Sequence, residues 1–155
     1  MNKANTYKTE PNIGSRFLAG LVDYIIIWTF TFVMLKTVGV QNSEGAYELS
    51  GLPGLIPIIF WGIMTIGSEQ LFGVTLGNYT MDLKPISING IQQNLTFSQS
   101  LKRHILDPVD MSLFGLIGII TIKNTEKNQR LGDLWAKTIV LNMKKNSELN
   151  NPTTD

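Results

Sequence analysis

SRFLAGLVDYIIIWTFTFVML, residues 15–35, decides the fold. From 17 to 35 it is apolar or weakly polar except for Asp23, and Arg16 stands at its mouth. A membrane-spanning helix needs about 20 mostly apolar residues, so this run is long enough to cross a bilayer. Charge inside hydrocarbon is costly, which makes Arg16 and Asp23 candidates for function. They lie seven residues apart in sequence. On an α-helix that spacing returns to nearly the same face, about 10 Å further along the axis.

The run 52–72 is the second candidate span, with Glu69 and Gln70 near its end. Pro53 and Pro57 fall in its first turns, where a missing N–H does least harm. A third apolar stretch, 111–122, is short for a span and suits a re-entrant or interfacial helix better. Gly115 and Gly118 within it allow close helix approach. The charges favour two crossings. Lys3, Lys8 and Arg16 precede the first run, Lys84, Lys102 and Arg103 follow the second, and residues 123–155 are rich in Lys and Arg. The loop 36–51 carries Glu44 and Glu48 against Lys36. The positive-inside rule then puts both termini in the cytoplasm and the acidic loop outside. Three spans remain the alternative.

Between the second and third runs, MDLKPISI, Asn89-Gly90 and IQQNLTF read as a β-hairpin with a type I′ turn. Pro85 confines its first strand to an edge. Ser98 is the expected N-cap of an amphipathic helix, SQSLKRHIL. RLGDLWAK reads as a short turn or helix, and TIVLNM as a strand able to join the hairpin. The expected fold is an all-α membrane protein with two transmembrane helices, a third short re-entrant or spanning helix, and a small cytoplasmic β-hairpin insert. Residues 1–12 and 144–155 are polar and expected as disordered tails around a membrane domain at 13–143.

Composition narrows the function classes. A net charge of +1 gives no basic field for nucleic acid. The chain has no Cys and one His, so neither thiolate nor His-rich metal sites are expected. With His104 alone, no nucleophile–His–acid arrangement has support, and neither enzyme activity nor a cofactor is expected. The first apolar run follows a polar lead, holds a carboxylate and lacks a small-residue cleavage pattern after it. It reads as a retained helix rather than a signal peptide.

Of the 12 Asp and Glu residues, Asp23, Glu69, Asp107 and Asp110 lie inside or beside apolar runs. Each must be paired, protonated or facing water. Arg16, Arg103 and Arg130 are the cations able to meet them. Glu69, near the end of its helix, is expected to reach the headgroups, and His104 to be interfacial. GVTLGN at 73–78 lacks the Gly and Lys of a nucleotide loop. One reading is a proton or cation relay centred on Asp23 and tuned by Arg16. The other is an ion-pair network that holds short helices together.

RFLAGLVDYIII, EQLFGVTLGN, SLKRHI and QRLGDLWAKTIVL together resemble the RDD family of small bacterial membrane proteins, over about 16–141. The Arg and two Asp that name the family match Arg16, Asp23 and Asp133. Glu69, Gly73, Thr75, Leu76 and Gly77 match a second family stretch, in which Asn78 replaces a usually basic residue. Ala136-Lys137-Thr138 resembles the family's A-G-T. The resemblance implies a multi-pass protein of the bacterial inner membrane and a role in ion- or proton-coupled transport. Arg16, Asp23 and Asp133 would form its motif, supported by Glu69, Arg103, Asp107, Asp110 and Arg130. Two or three helices enclose no pathway alone, so the expected partners are the lipid bilayer and either further copies of the chain or another membrane protein. The competing expectation is a non-catalytic scaffold or accessory subunit.

Overall fold

A computed structural model describes residues 8–88 and 94–150. The first helix, α1 (Ile13–Val38), has 26 residues. At 1.5 Å per residue it is about 39 Å long, more than the roughly 30 Å hydrocarbon core. Its buried residues are Ala19, Asp23 and Ile27. They recur every fourth position, so one stripe faces inward and the rest of the helix presents apolar side chains outward. The second helix, α2 (Leu52–Phe72), opens with a 3₁₀ turn holding Pro53 and contains a π stretch at Ile63–Gly67. The two helices meet where Phe30 and Phe60 stack with ring centroids 3.9 Å apart. Between them, β1 (Val40–Gln41) and β2 (Tyr47–Glu48) form a minimal antiparallel hairpin.

Both α1 and α2 are long and apolar enough to cross a membrane. Within the apolar window of each, 17% is buried, so most of their surface needs another apolar neighbour. A third candidate crossing is the bent pair Phe97–Asp110 and Gly115–Asn124, which turns through 115°. It contains α4 (Phe97–Ile105), α5 (Asp107–Asp110) and α6 (Ser112–Asn124). The sequence predicts here a short third apolar segment and, before it, the amphipathic helix SQSLKRHIL. That amphipathic helix is the first arm of the bent pair, with Arg103, His104, Asp107 and Asp110 buried.

After α2, Gly73 ends the helix in the left-handed conformation (φ 77°), and α3 (Leu76–Thr80) begins within three residues. Then β3 (Leu83–Ser87) pairs antiparallel with β4 (Thr138–Asn142), with Leu83 opposite Asn142 and Ser87 opposite Thr138. The expected hairpin is described only in part. Its Asn89-Gly90 turn lies outside the described residues, residues 94–96 carry no strand, and Phe97 already begins α4. TIVLNM, expected as a strand able to join the hairpin, does pair with β3, and its residues Thr138 to Leu141 are buried. The N-cap of α4 is Thr96, not Ser98. Thr96 Oγ1 accepts from Gln99 N at 3.3 Å, and Gln99 Oε1 accepts from Thr96 N at 3.1 Å, a reciprocal capping box.

The remaining elements are α7 (Leu131–Ala136) and α8 (Met143–Asn150). The sequence reading placed a tail at 144–155, but α8 carries the helix on to Asn150. Asn146 of α8 exchanges two hydrogen bonds with the Lys8 backbone, tying the two ends of the described chain together. The apolar core is small. Ala19 of α1 packs with Leu83 and Val140, and Ile86, Ile139 and Leu141 form a second cluster. Ile27, Ile66, Leu95, Ile122 and Ala136 are also buried, and the rest of the described interior is polar and rich in charge.

Candidate functional site

Asp133 is the hub of that interior. It occupies the third position of α7 and accepts a hydrogen bond from Arg130 N at 3.2 Å, satisfying one free N–H of the first turn. Asp110 caps the same turn from a neighbouring element, accepting from Leu131 N at 3.0 Å and Gly132 N at 3.1 Å. Gly132 is there because a Cβ would sit 2.5 Å from the Arg103 carbonyl oxygen. RLGD is thus a helix start read by two carboxylates, with a glycine that lets α7 press on α4.

Three arginines converge on these acids. Arg16 meets Asp133 Oδ2 at 3.1 Å and donates to the Asn128 carbonyl at 2.9 Å. Arg103 pairs with Asp133, donates to Thr138 Oγ1 at 3.2 Å, and comes within 3.4 Å of Glu69. Arg130 meets Asp107 at 2.8 Å and stands 3.9 Å from both Asp110 and Asp133. Burial alone would raise the pKa of Asp133, but Arg103, Arg130 and Arg16 outweigh it and hold the carboxyl below its usual range. Burial alone would lower that of Arg130. Asp107, Asp133 and Asp110 reverse the balance, so its guanidinium stays charged.

His104 lies between Asp107 (Nδ1 to Oδ2, 2.7 Å) and Glu69 (Nε2 to Oε1, 3.2 Å). Both ring nitrogens face carboxylate oxygens, the arrangement of an imidazolium. Two expectations are corrected. Glu69 does not reach the headgroups but is fully buried, and His104 is buried rather than interfacial. Both turn inward because each is the other's partner, and Arg103 lies on the same carboxylate. Nothing in the sequence marked this, since the pair is 35 positions apart.

Asp23 stands apart. Its Oδ1 accepts from the backbone N–H of Gly77 at 2.7 Å, and the Thr75 hydroxyl also bonds to its carboxylate. Among the described residues it makes no ion pair. TLGN at 75–78 is thus the segment that holds the Asp23 carboxylate. Thr75 caps α3 through Asn78 N at 3.3 Å, and Gly77 permits contact with α1. The signal was legible as a Thr N-cap three residues before Asn78; its carboxylate partner, 54 positions away, was not.

Arg16 and Asp23 share a cavity of about 110 Å³. Its polar wall also carries Asp107, Asp110 and Arg130; its apolar wall includes Phe17, Met111 and Ile119. That volume has room for several waters or a small ion. Among the described residues, the Nε atoms of Arg16 and Arg103, which both line it, have no hydrogen-bond partner. Across the network the acids are Asp23, Glu69, Asp107, Asp110 and Asp133, and the cations Arg16, Arg103, Arg130 and His104. The acids outnumber the cations by one, and Asp23 is the one without an ion pair. Among the described residues no group of three or more His, Asp or Glu is arranged to hold a metal ion.

No curated protein and no solved structure matches the chain. The RDD family model does, over residues 10–137, a stretch that contains α1, α2, the broken third segment and all the charged residues of the site. By that match, and with Arg16 meeting Asp133 across the fold, the chain belongs to the RDD family.

Proposed function

We propose that this protein is part of a membrane assembly that moves protons or small cations, with Asp23 as the group that carries them. One observation carries the reading. Asp23 is buried about three turns into an apolar helix, held by neutral donors, and lines a cavity continuous with the ionic network. Its charge is left for a proton or cation to balance. Arg16, at the same cavity, tunes that charge without pairing with it. The protein works as a homo-oligomer or beside another membrane protein, because the outward faces of α1 and α2 are apolar and two or three helices enclose no pathway. It sits in the bacterial inner membrane as a multi-pass protein with its N-terminus in the cytoplasm, a placement supported by the Lys and Arg distribution. Labelling of a Cys placed at Asn150 from outside intact cells would refute the two-crossing form of this topology. Proton and cation flux in liposomes tests the transport reading.

A second reading is favoured by the ion pairs themselves. Arg16, Glu69, Arg103, Asp107, Arg130 and Asp133 tie α1, α2, α4, α5 and α7 to one another. In this reading the network is a lock, and the protein is a scaffold or accessory subunit. The lock predicts that Asp23→Asn lowers stability and disrupts assembly; the relay predicts that Asp23→Asn abolishes flux in a protein that remains assembled.

A further inference from the structure

The outer surface of the charged layer has the wrong polarity for water. From Phe97 to Asp110 the buried residues are Ser100, Arg103, His104, Asp107 and Asp110, all polar. The same stretch turns Phe97, Ile105 and Val109 outward, at 60%, 47% and 42% exposure. In α7 the buried residues are Gly132, Asp133 and Ala136, while Leu134 and Trp135 face out. A helix at a water-facing surface does the reverse, burying its apolar stripe and exposing its charges. These two helices pack on each other, and the end of α2, with Leu71 and Phe72 exposed, packs on α4. The apolar exterior therefore runs on from a span onto the charged layer. At its edge the Lys102 ammonium lies 5.8 Å from the Trp135 ring centroid. Trp beside Lys is the pairing that sits at headgroup level, ring toward the acyl chains and ammonium toward phosphate.

We propose that α4, α5 and α7 lie in the lipid interface of the same bilayer that α1 and α2 cross, with Phe97, Ile105, Val109, Leu134 and Trp135 against lipid and Lys102 at an anionic headgroup. The occupant of this face is lipid rather than a protein, because the face is continuous with a lipid-facing span and edged by a cation suited to phosphate. The charged network is then enclosed within the membrane boundary and screened from bulk water on this side. The inference rests on α1 and α2 being in the membrane and not on what the protein transports.

The chain has no Cys, so single nitroxide labels can be placed cleanly. Labels go at Phe97→Cys, Ile105→Cys and Leu134→Cys in the full chain, reconstituted in phosphatidylethanolamine–phosphatidylglycerol bilayers. Ile25→Cys and Ile59→Cys serve as span controls and Glu126→Cys as a loop control. Collision with oxygen, which concentrates in lipid, is compared with collision with a water-soluble nickel chelate. The expected result is an oxygen-to-nickel ratio at all three sites clearly above that at Glu126. Ratios equal to that at Glu126 overturn the proposal, because the face is then in water. Low collision with both reagents also overturns it, because the face is then covered by protein. If the span controls themselves favour nickel, the membrane placement has failed; if only the three test sites do, this inference alone has failed. A second readout leaves the labelled positions native. In the Trp28→Phe/Trp61→Phe variant, Trp135 fluorescence should be quenched by lipid brominated near the headgroup end of its chains. Quenching by aqueous iodide instead overturns the proposal.

Discussion

Replacing Gly77 with Ala tests the contact that holds Asp23. An added Cβ would lie 1.9 Å from the Ala19 carbonyl oxygen and 2.9 Å from Asp23 Cγ. An ordinary C···O contact is about 3.3 Å, so α3 and α1 must part by roughly 1.4 Å. The obstacle is the backbone of α1, which cannot swing away as a side-chain tip can. That movement stretches the 2.7 Å hydrogen bond from Gly77 N to Asp23 beyond bonding range. Losing a hydrogen bond to a charged group costs about 1.5–3 kcal/mol, and overpacking about 1–3 kcal/mol. We expect a loss near 4 kcal/mol, read from thermal or denaturant unfolding in detergent micelles. Gly20→Ala is the control. Its Cβ would meet the Met111 Cε at 2.7 Å, but that methyl ends a flexible side chain and can turn aside. Its cost should lie at the low end of overpacking, about 1 kcal/mol. Asp23→Ala and Gly77→Ala should also combine less than additively, because each removes the same hydrogen bond. The reasoning fails if Gly77→Ala melts within about 0.5 kcal/mol of the parent protein, or if the two glycine variants lose equal stability.

Three further outcomes are expected. Arg16→Lys should lower stability by about 1.5 kcal/mol, because one ammonium cannot reach both Asp133 and the Asn128 carbonyl as the guanidinium fork does; an unshifted melting curve contradicts this. Arg103→Met leaves Glu69 and Asp133 buried with one cation fewer, a loss of about 3–5 kcal/mol, and a melt unchanged from the parent would show that the pairs contribute nothing. Acidification tests Asp133, whose carboxyl titrates lower in the folded protein than in the unfolded chain. Its contribution is therefore present above the ordinary carboxylate pKa, about 3.9 for Asp, and is lost as pH falls through the lower folded value. The stability gap between the parent and Asp133→Asn should narrow over that acid range, and a gap independent of pH refutes the assignment.

The two spans were legible because bilayer thickness imposes a length that any apolar run either meets or misses. The spacing of Arg16 and Asp23 was legible for the same reason that α1 buries Ala19, Asp23 and Ile27 on one stripe: helical periodicity is local. The adjacency of Arg16 to Asp133 could be argued from the common end of the bundle at which both were expected. The partners of Glu69 and His104 could not, since pairing across 35 positions leaves no periodic trace. The pairing of Leu83–Ser87 with Thr138–Asn142 was legible in part, because TIVLNM reads as a β-branched strand able to join the segment around Pro85; its register was not. The faces of α4 and α7 were only half legible. SQSLKRHIL reads as an amphipathic helix, but only the fold reveals that Arg103 and His104 lie on its buried side.

The central claim is that Asp23 carries a charge which a proton or small cation balances during transport. The direct test is flux of protons and of Na⁺ or K⁺ into liposomes holding the parent protein, Asp23→Asn and Asp133→Asn, with melting curves recorded alongside. Asn at position 23 keeps an oxygen able to accept from Gly77 N, so the fold should survive its introduction. The account predicts measurable flux in the parent, none in Asp23→Asn, and a melting temperature for Asp23→Asn close to that of the parent. Flux in Asp23→Asn equal to the parent's, or no flux in the parent with a large loss of stability in Asp23→Asn, would contradict the relay and leave the network as a structural lock.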